Sequence, residues 1–218
     1  MLAYPASDKP IDYNEKVYIQ PKLDGVRCVI QAEPDYSSSG YPIPGVRVKA
    51  YSRTGKEWKN IDHILYNLKP WFALNPNVIL DGELYNHDLK DNFEKIISLV
   101  RKTKPTEEDR AESAEMVQFH CYDCMDMGLI DASFENRMNF ITQNVPRNHC
   151  VKHVSTNRVC KHEEALNVHY DGNLVNGYEG SIVRTNGSYQ CKRSHNLRKF
   201  KDFHDDEAML LDWVEGKG

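Results

Sequence analysis

Alternating and continuous apolar segments predict β-strands over much of the chain. Residues 16–20 and 26–32 are rich in Val and Ile with partial period-two alternation, which is typical of strands. Between residues 33 and 45 three prolines and a run of serines break the pattern, so a loop is predicted there. Residues 46–52 then form the second strand of a hairpin. Further strands are predicted for residues 78–84, 116–124, 180–184, 189–193 and 197–203.

Other segments place apolar residues at helical spacing. Four apolar residues between positions 61 and 68 lie three or four apart and predict a helix over residues 60–68, which Pro70 is expected to end. Three more helices are predicted, over residues 93–100, 133–145 with Ser133 as N-cap, and 163–175 with Gly177 as terminator. Helices and strands are interspersed without strict alternation. This order indicates an α+β fold with antiparallel sheets, flanking helices and a cleft between the sheets.

Length and composition fit one large domain, because the 218 residues are 40% hydrophobic. The charge is unevenly distributed: the chain carries −4 overall, but residues 184–201 contain six Lys or Arg and no acid. The rest of the chain therefore carries −10 (−4 minus +6), and a cationic, phosphate-facing surface is predicted in this late segment.

The sequence shows neither a membrane-spanning run nor a signal peptide, so we expect an intracellular, cytoplasmic protein without a membrane partner. Six cysteines are expected to be reduced thiols for the same reason. Cys121 and Cys124 have the spacing of a zinc pair. No second pair accompanies them, and zinc is not favoured.

The most informative polar cluster surrounds Lys22, which is followed by Asp24, Gly25 and Arg27. A lysine amine attacks phosphorus only when neutral, and at its ordinary pKa of ~10.4 fewer than ~1 in 1,000 are neutral at pH 7. Burial, the cation Arg27 or a bound nucleotide can favour the free amine. Asp24 is suited to orient the lysine. Gly25 allows the backbone to approach a ligand closely.

The Lys22-x-Asp24-Gly25-x-Arg27 pattern resembles the nucleophile motif of the covalent nucleotidyltransferases, which include DNA ligases, RNA ligases and mRNA-capping guanylyltransferases. Segments similar to the later motifs of that superfamily follow in order, at residues 52–55, 81–83, 119–123, 179–184 and 192–201. The pattern is most similar to the ATP-dependent DNA ligases of the small viral and bacteriophage kind. The resemblance implies the adenylation-domain fold, with an ATP-grasp-like, nucleotide-binding cleft.

The resemblance also implies roles for individual residues. Lys22 is the expected nucleophile, which forms a covalent lysine–AMP. Glu83 is expected to contact the ribose or a metal-bound water and Glu179 to hold the metal, Mg²⁺ or Mn²⁺, and these two acids suit a hard cation. Tyr122 is the candidate for stacking on the base, with Phe119 as the alternative. The implied nucleotide-binding set is Gln20, Asp24, Gly25, Arg27, Arg53, Glu83, Tyr122, Glu179, Lys199 and Lys201.

Within this set, the chemistry of each side chain suggests its task. Gln20 is expected to read the exocyclic amine of adenine through its amide oxygen. Arg27 and Arg53 are assigned to ribose and phosphate contacts. Lys199 and Lys201, two apart on a predicted strand, are expected to face the same way and to bind the α-phosphate as pyrophosphate departs.

The implied reaction uses ATP and nicked double-stranded DNA, and we expect a monomer. Residues 1–204 are predicted to form the adenylation domain and residues 205–218 to begin an OB-fold domain. One strand cannot bury a core alone. Complete nick sealing is therefore expected to need the rest of that domain. An RNA ligase, a capping guanylyltransferase and a non-catalytic nucleic-acid-binding module are the alternatives.

Overall fold

A computed structural model describes residues 1–37, 39–128, 130–159 and 162–201. Within these residues ten strands form two five-stranded sheets, here called sheet A and sheet B. The strands are β1 (Leu2–Pro5), β2 (Val17–Pro21), β3 (Val26–Tyr36), β4 (Pro42–Tyr51), β5 (Val78–Tyr85), β6 (Gln118–Asp126), β7 (Val151–His153), β8 (Asn157–Val159), β9 (Ser181–Thr185) and β10 (Arg193–Phe200). The predicted start of an OB-fold, residues 205–218, lies outside the described residues.

Five α-helices accompany the sheets in the described part of the chain: α1 (Asp62–Leu74), α2 (Phe93–Val100), α3 (Glu107–Met116), α4 (Phe134–Asn144) and α5 (Glu163–Val175). Short 3-10 turns occur at Ala6–Asp8 and His87–Leu89. None of these helices is both long and apolar enough to cross a bilayer. The cytoplasmic location stays a prediction.

Sheet A has the strand order β1-β10-β9-β2-β8, and sheet B has the order β4-β3-β5-β6-β7. The fold is the predicted α+β class with mainly antiparallel pairing. Two pairs, β1 with β10 and β6 with β7, are parallel. Because β2 belongs to sheet A and β3 to sheet B, the four residues between them cross from one sheet to the other. These four residues include Lys22.

Two hydrophobic cores hold the sheets. The larger core packs sheet B against helices and contains Phe72, Phe119 and Phe134, each fully buried. The smaller core lies between sheet A and α5 and contains Val17, Ile19, Val159, Leu166 and Val183. Each core stabilises one wall of the cleft, so the polar groups between the walls are carried on rigid strands.

Several sequence predictions were wrong in detail. Residues 33–45 are mostly a long hairpin of β3 and β4 instead of a loop. Pro34 is accommodated because β3 has left its partner β5 after Gln31 and has one neighbour there. The first helix continues through Pro70 to Leu74, since Trp71 and Phe72 are buried in the larger core.

Other differences concern short or polar elements. Helix α3 was not predicted because seven of its ten residues are polar, and a capping box between Thr106 and Asp109 defines its start. Residues 189–192 are irregular, and the last strand begins only at Arg193. The strands β1, β7 and β8 were missed because three or four residues carry little pattern. The helices α2, α4 and α5 and the Ser133 cap were predicted correctly.

Candidate active site

The loop that carries Lys22 is fixed to both sheets. Strand β2 is buried at every position and ends at Pro21. The backbone N–H of Lys22 then donates to the carbonyl of Gly180 at 2.9 Å, next to the start of β9. On the other side Gly25 lies against β5, where an added Cβ would be 2.5 Å from Glu83 Cγ and 2.6 Å from the Leu84 carbonyl oxygen. The close approach that requires glycine is thus to β5.

The Lys22 amine forms an ion pair with Glu179, and Lys201 Nζ lies 3.2 Å from the other oxygen of the same carboxylate. Burial by itself would raise the pKa of Glu179, but the hydrogen bonds and charges of Lys22 and Lys201 outweigh it and lower this pKa. Glu179 is therefore a carboxylate at neutral pH. Within the described residues the partner that orients Lys22 is Glu179, whereas Asp24 is close enough to act through charge only.

A second acid, Asp81, holds Arg27. Arg27 Nε and Nη2 donate to the two carboxylate oxygens of Asp81 at 2.9 and 2.8 Å, a bidentate arrangement. The Tyr189 hydroxyl donates to Asp81 at 2.7 Å, and that of Tyr122 lies at 3.3 Å. The guanidinium is thus fixed in the wall of the cleft. Asp81 and Tyr189 were not predicted as site residues, although Asp81 opens the third motif.

Glu83 has a different electrostatic environment from Glu179. Burial and the neighbouring charge of Asp81 raise the pKa of Glu83 to about 8, although Lys22 and Arg27 act in the opposite direction. At neutral pH this carboxyl group therefore carries a proton in the structure described here. Asp81 and Glu83 line the same cavity, as two-residue spacing on a strand predicts.

This cavity lies beside Lys22, between the two sheets, and has a volume of about 160 Å³. Tyr122 faces it from a bulge in β6, where Asp81 pairs with Asp123 and Gly82 pairs with Cys121. Phe119, the alternative stacking residue, is fully buried in the larger core and packs on Gly82. Ten residues besides Tyr122 line the cavity: Met1, Gln20, Pro21, Lys22, Leu23, Asp81, Glu83, Ile182, Arg184 and Leu197.

A buried polar network lies behind Tyr122. Asp123 is fully buried and accepts hydrogen bonds from Arg137 Nε at 2.7 Å and Arg184 Nη1 at 2.6 Å. Arg184 also donates through Nε to the amide oxygen of Gln20 at 2.8 Å, while the Gln20 amide nitrogen donates to the Tyr122 carbonyl at 3.1 Å. The oxygen predicted to read adenine is thus bound to Arg184.

Asp123, Arg137 and Arg184 were absent from the predicted site. Arg184 is the last residue of the segment similar to the fourth motif, and Asp123 follows the predicted stacking residue, so both signals were available. Nothing in the local sequence marks Arg137, because it comes from α4 and reaches Asp123 only in three dimensions.

Not every predicted residue faces the Lys22 cavity. Arg53 lines a neighbouring cavity of about 520 Å³, which Gly25, Arg27 and Glu83 also border. Lys199 pairs across the sheet with Ile182, which lines the Lys22 cavity, so Lys199 lies on the same face of sheet A as that cavity. Lys201 reaches the site through Glu179.

The predicted cationic surface of residues 184–201 is smaller than its sequence suggests. Two of its six cations, Arg184 and Arg198, are 3% and 5% exposed. Arg184 is paired with Asp123, and Arg198 donates to the backbone carbonyls of Lys9 and His195. These two arginines stabilise the fold, because buried guanidinium groups need partners. Of the other four, Arg193 donates to the Ala3 carbonyl and Lys201 pairs with Glu179.

In the described residues no three His, Cys, Asp or Glu side chains converge as a ready-made metal site. The cysteines of the Cys121-x-x-Cys124 segment are both buried. Their thiols point to the backbone carbonyls of Asp123 and Arg137. Glu83 could bind a metal only after losing its proton. Glu179 could do so only after releasing Lys22 and Lys201.

Comparison with known proteins gives the family. The sequence profile of the ATP dependent DNA ligase domain matches residues 1–201. No protein with a curated description matches. Solved structures do match: one described as "Pmar-Lig_Pre." is 21% identical with a TM-score of 0.68, over 92% of this chain and 46% of that one. The chain thus spans less than half of that structure's length.

Two other structures are similar over most of this chain. One, from work on DNA binding with a minimal scaffold in Lig E DNA ligases, is 24% identical with a TM-score of 0.67 and covers 100% of this chain and 74% of that one. The Chlorella virus DNA ligase-adenylate is 20% identical with a TM-score of 0.61, over 92% and 66%. These structures share the fold, and the profile match shows that the chain belongs to the ATP-dependent DNA ligase domain family.

Proposed function

We propose that this chain is the adenylating core of an ATP-dependent DNA ligase. The observation that carries the proposal is the position of Lys22, at the crossing between the sheets, beside a cavity and in contact with Glu179. Family membership and this geometry support the same reaction. Lys22 Nζ forms a bond to the α-phosphorus of ATP, the bond to the β-phosphate oxygen breaks, and pyrophosphate leaves. The product is a lysine–AMP phosphoramidate.

The ion pair with Glu179 defines the first requirement of this reaction. In the ion pair Lys22 is an ammonium group, and its nitrogen carries no free electron pair. Attack requires that Lys22 lose a proton and turn from the carboxylate to phosphorus. Lys201 stays beside Glu179 and can balance its charge during this exchange, and Lys199 on the same face can stabilise the α-phosphate.

The cavity wall supports roles for the other predicted residues. Tyr122 can stack on the base, and the bulge that exposes it is held by the Gln20 amide. We assign Arg27 and Glu83 to the ribose and Arg53 to a phosphate, and all three line the neighbouring cavity. Gln20 retains one lone pair on its amide oxygen, through which an exocyclic amine can still be read.

A divalent cation, Mg²⁺ or Mn²⁺, would neutralise phosphate charge next to Lys22. Glu179 and Glu83 are the residues that would hold it, since hard cations take carboxylate oxygens together with phosphate and water. The two carboxyl groups fit this role because a bound cation would favour the ionised form of Glu83 and would compete with the two lysines for Glu179. Asp24 lies in the same charged group.

The second and third steps use nicked double-stranded DNA. AMP passes from Lys22 to the 5′-phosphate of the nick, and the 3′-hydroxyl then displaces AMP. We propose residues 1–204 as the adenylation domain and residues 205–218 as the start of an OB-fold, with a monomer as the active unit. Nick sealing is expected to require more of that second domain, and adenylylation can be measured separately.

The test of the nucleophile is covalent labelling with ATP that carries a radioactive α-phosphate. The wild-type chain should gain the mass of one AMP at Lys22, and Lys22→Ala should gain none. Lys69→Ala is the matched control, because Lys69 is an exposed lysine on α1. Covalent label on the Lys22→Ala chain would refute the assignment.

The same assay separates the alternative activities. GTP in place of ATP distinguishes a capping guanylyltransferase, and duplexes with DNA or RNA nicks distinguish the two kinds of ligase. We expect labelling by ATP and transfer of AMP to DNA nicks. Transfer to RNA nicks alone, or labelling by GTP alone, would contradict the DNA ligase assignment.

A further inference from the structure

Glu179 is presented by the turn that ends helix α5. Gly177 has a φ of +80°, its N–H donates to the carbonyl of Leu174 at 2.8 Å, and the Tyr178 N–H donates to that of Asn173 at 3.0 Å. This pair of bonds is a Schellman motif with glycine in the left-handed position. Because Glu179 directly follows the motif, the position of the turn sets the position of the carboxylate that holds Lys22.

His87 fastens this turn to the opposite sheet. His87 follows β5, and its Nε2 lies 3.1 Å from the carbonyl oxygen of Asn176. Its ring lies 4.5 Å from that of Tyr178, at an interplanar angle of 33°. One imidazole thus contacts two residues of the turn, one through the backbone and one through the ring. The contact joins sheet B to the segment that leads into β9 of sheet A.

Tyr85 orients the imidazole. The Tyr85 hydroxyl lies 2.7 Å from His87 Nδ1. Burial, followed by the nearby Tyr178 and acids, raises the pKa of Tyr85, so its hydroxyl remains a proton donor. A neutral imidazole makes both bonds only if Tyr85 donates to Nδ1 and the proton is on Nε2, which donates to Asn176. Tyr85 therefore selects the His87 tautomer whose Nε2–H donates to the Asn176 carbonyl.

Tyr85 also contacts the loop of residues 22–25, which carries Lys22. A Cβ at Gly25 would lie 3.2 Å from Tyr85 Cβ, so the loop that follows Lys22 packs against Tyr85. Lys90 covers the turn from the other side, since a Cβ at Gly177 would lie 2.9 Å from Lys90 Cε. A cation at the carboxyl end of α5 is also favourable to the helix dipole. The loop that carries Lys22 and the turn that leads to Glu179 therefore both pack against Tyr85 and His87.

We propose that His87 is a positioning residue of the active site: it sets the distance and orientation between Glu179 and Lys22 by holding the turn of residues 176–178. His87 itself touches neither the lysine amine nor the cavity. The expected effect of His87 on catalysis rests on the proposed function. Its effect on the ion pair between Lys22 and Glu179 is independent of that function.

The first experiment therefore uses no nucleotide. Lys22 acetylation by a small amine-reactive reagent is followed by peptide mass spectrometry on the full chain, with Lys69 as an internal reference. His87→Ala should raise the Lys22 rate about 2- to 10-fold, the value of one hydrogen bond. His87→Gln, whose amide nitrogen can replace Nε2, should restore the wild-type rate. His149→Ala, at an exposed histidine, is the matched control and should change nothing.

The second experiment measures single-turnover formation of lysine–AMP. His87→Ala should lower the rate constant at saturating ATP about 2- to 10-fold, because the freed Lys22 amine is no longer aligned by Glu179. It should leave the half-saturating ATP concentration within about twofold. His87→Gln should rescue the rate constant. A fold defect would instead alter ATP binding, the melting temperature and the acetylation of other half-buried lysines, such as Lys49, Lys95 and Lys152, together.

The outcomes separate the two proposals. If the wild type forms no lysine–AMP, the proposed function fails, and the acetylation rates still decide whether His87 holds the pair. If the wild type forms lysine–AMP and the His87 variants match it in both assays, the positioning role is overturned and the proposed function stands. Rescue by glutamine in both assays supports both.

Discussion

At the scale of single residues, the two predicted metal ligands are unlike each other. The pKa of Glu179 is lowered despite its burial because two lysines touch it, whereas burial and Asp81 raise the pKa of Glu83 to about 8. The first is an anion and the second a neutral acid at pH 7. The sequence offers both as candidates for a metal site, but their environments give them different charge states.

The raised pKa of Glu83 predicts a pH-dependent stability. Between its ordinary pKa near 4.5 and its native value of about 8, the folded chain binds more protons at this site than the unfolded chain. The free energy of unfolding therefore falls as pH rises through this window. Glu83→Gln removes this loss, so its stability relative to wild type should increase by about 1–3 kcal/mol from pH 5 to pH 8.

Urea denaturation of both proteins at the two pH values measures this difference. Glu115→Gln, at an exposed acid on α3, is the control and should show the wild-type pH dependence. Parallel pH profiles for Glu83→Gln and wild type would show that Glu83 is already ionised at neutral pH in the nucleotide-free chain.

At the scale of elements, glycines in a tight loop and in a helix make a direct comparison. Gly25 lies in the loop between β2 and β3, where an added Cβ would be 2.6 Å from the Leu84 carbonyl oxygen. Gly172 lies inside α5, where an added Cβ meets nothing within 4 Å. Gly25→Ala should displace the loop that carries Lys22 and reduce lysine–AMP formation more than 10-fold, about 1.4 kcal/mol or more in the barrier.

Gly172→Ala should leave that rate unchanged and stabilise the fold by about 0.5–1 kcal/mol, because alanine loses less backbone entropy in a helix. Single-turnover labelling and urea denaturation of the two variants supply both quantities. Equal labelling rates in the two variants would show that β5 can yield and that the loop tolerates a side chain.

The helices also show which sequence patterns are sufficient to predict an element. The Ser133 cap, the amphipathic α2 and the glycine-terminated α5 were predicted because each signal is local. Pro70 was read as a helix end, but burial of Trp71 and Phe72 outweighs the lost hydrogen bond. Helix α3 lacks an apolar stripe, so only its capping box marked it. Tertiary packing decided the length of α1, whereas the start of α3 is set by the local capping box.

At the scale of the whole molecule, Asp123 joins the two sheets. It lies on β6 of sheet B and accepts from Arg184 on β9 of sheet A and from Arg137 on α4. Its removal leaves two guanidinium groups, each at most 4% exposed, without their common counter-charge. Asp123→Asn should therefore lower the free energy of unfolding by about 3–5 kcal/mol.

Denaturation followed by the fluorescence of Trp58 and Trp71 measures this loss. Asp126→Asn is the matched control on the same strand, since an amide oxygen can still accept from the Gly128 N–H, and it should cost less than about 1 kcal/mol. Similar losses in the two variants would mean that the arginine cluster contributes little to holding the sheets together.

The sequence by itself determined the fold class, the family and the identity of the lysine motif, because these depend on residue types at fixed short spacings. The tertiary structure decided which residues meet. It paired Lys22 with Glu179 across 157 positions and bound Gln20 to Arg184 across 164. It also buried Phe119, turned Tyr122 to the cavity through a bulge, and buried two of the six late cations, Arg184 and Arg198. Burial and charge at such contacts arise only when distant strands pack together, so no local pattern encodes them.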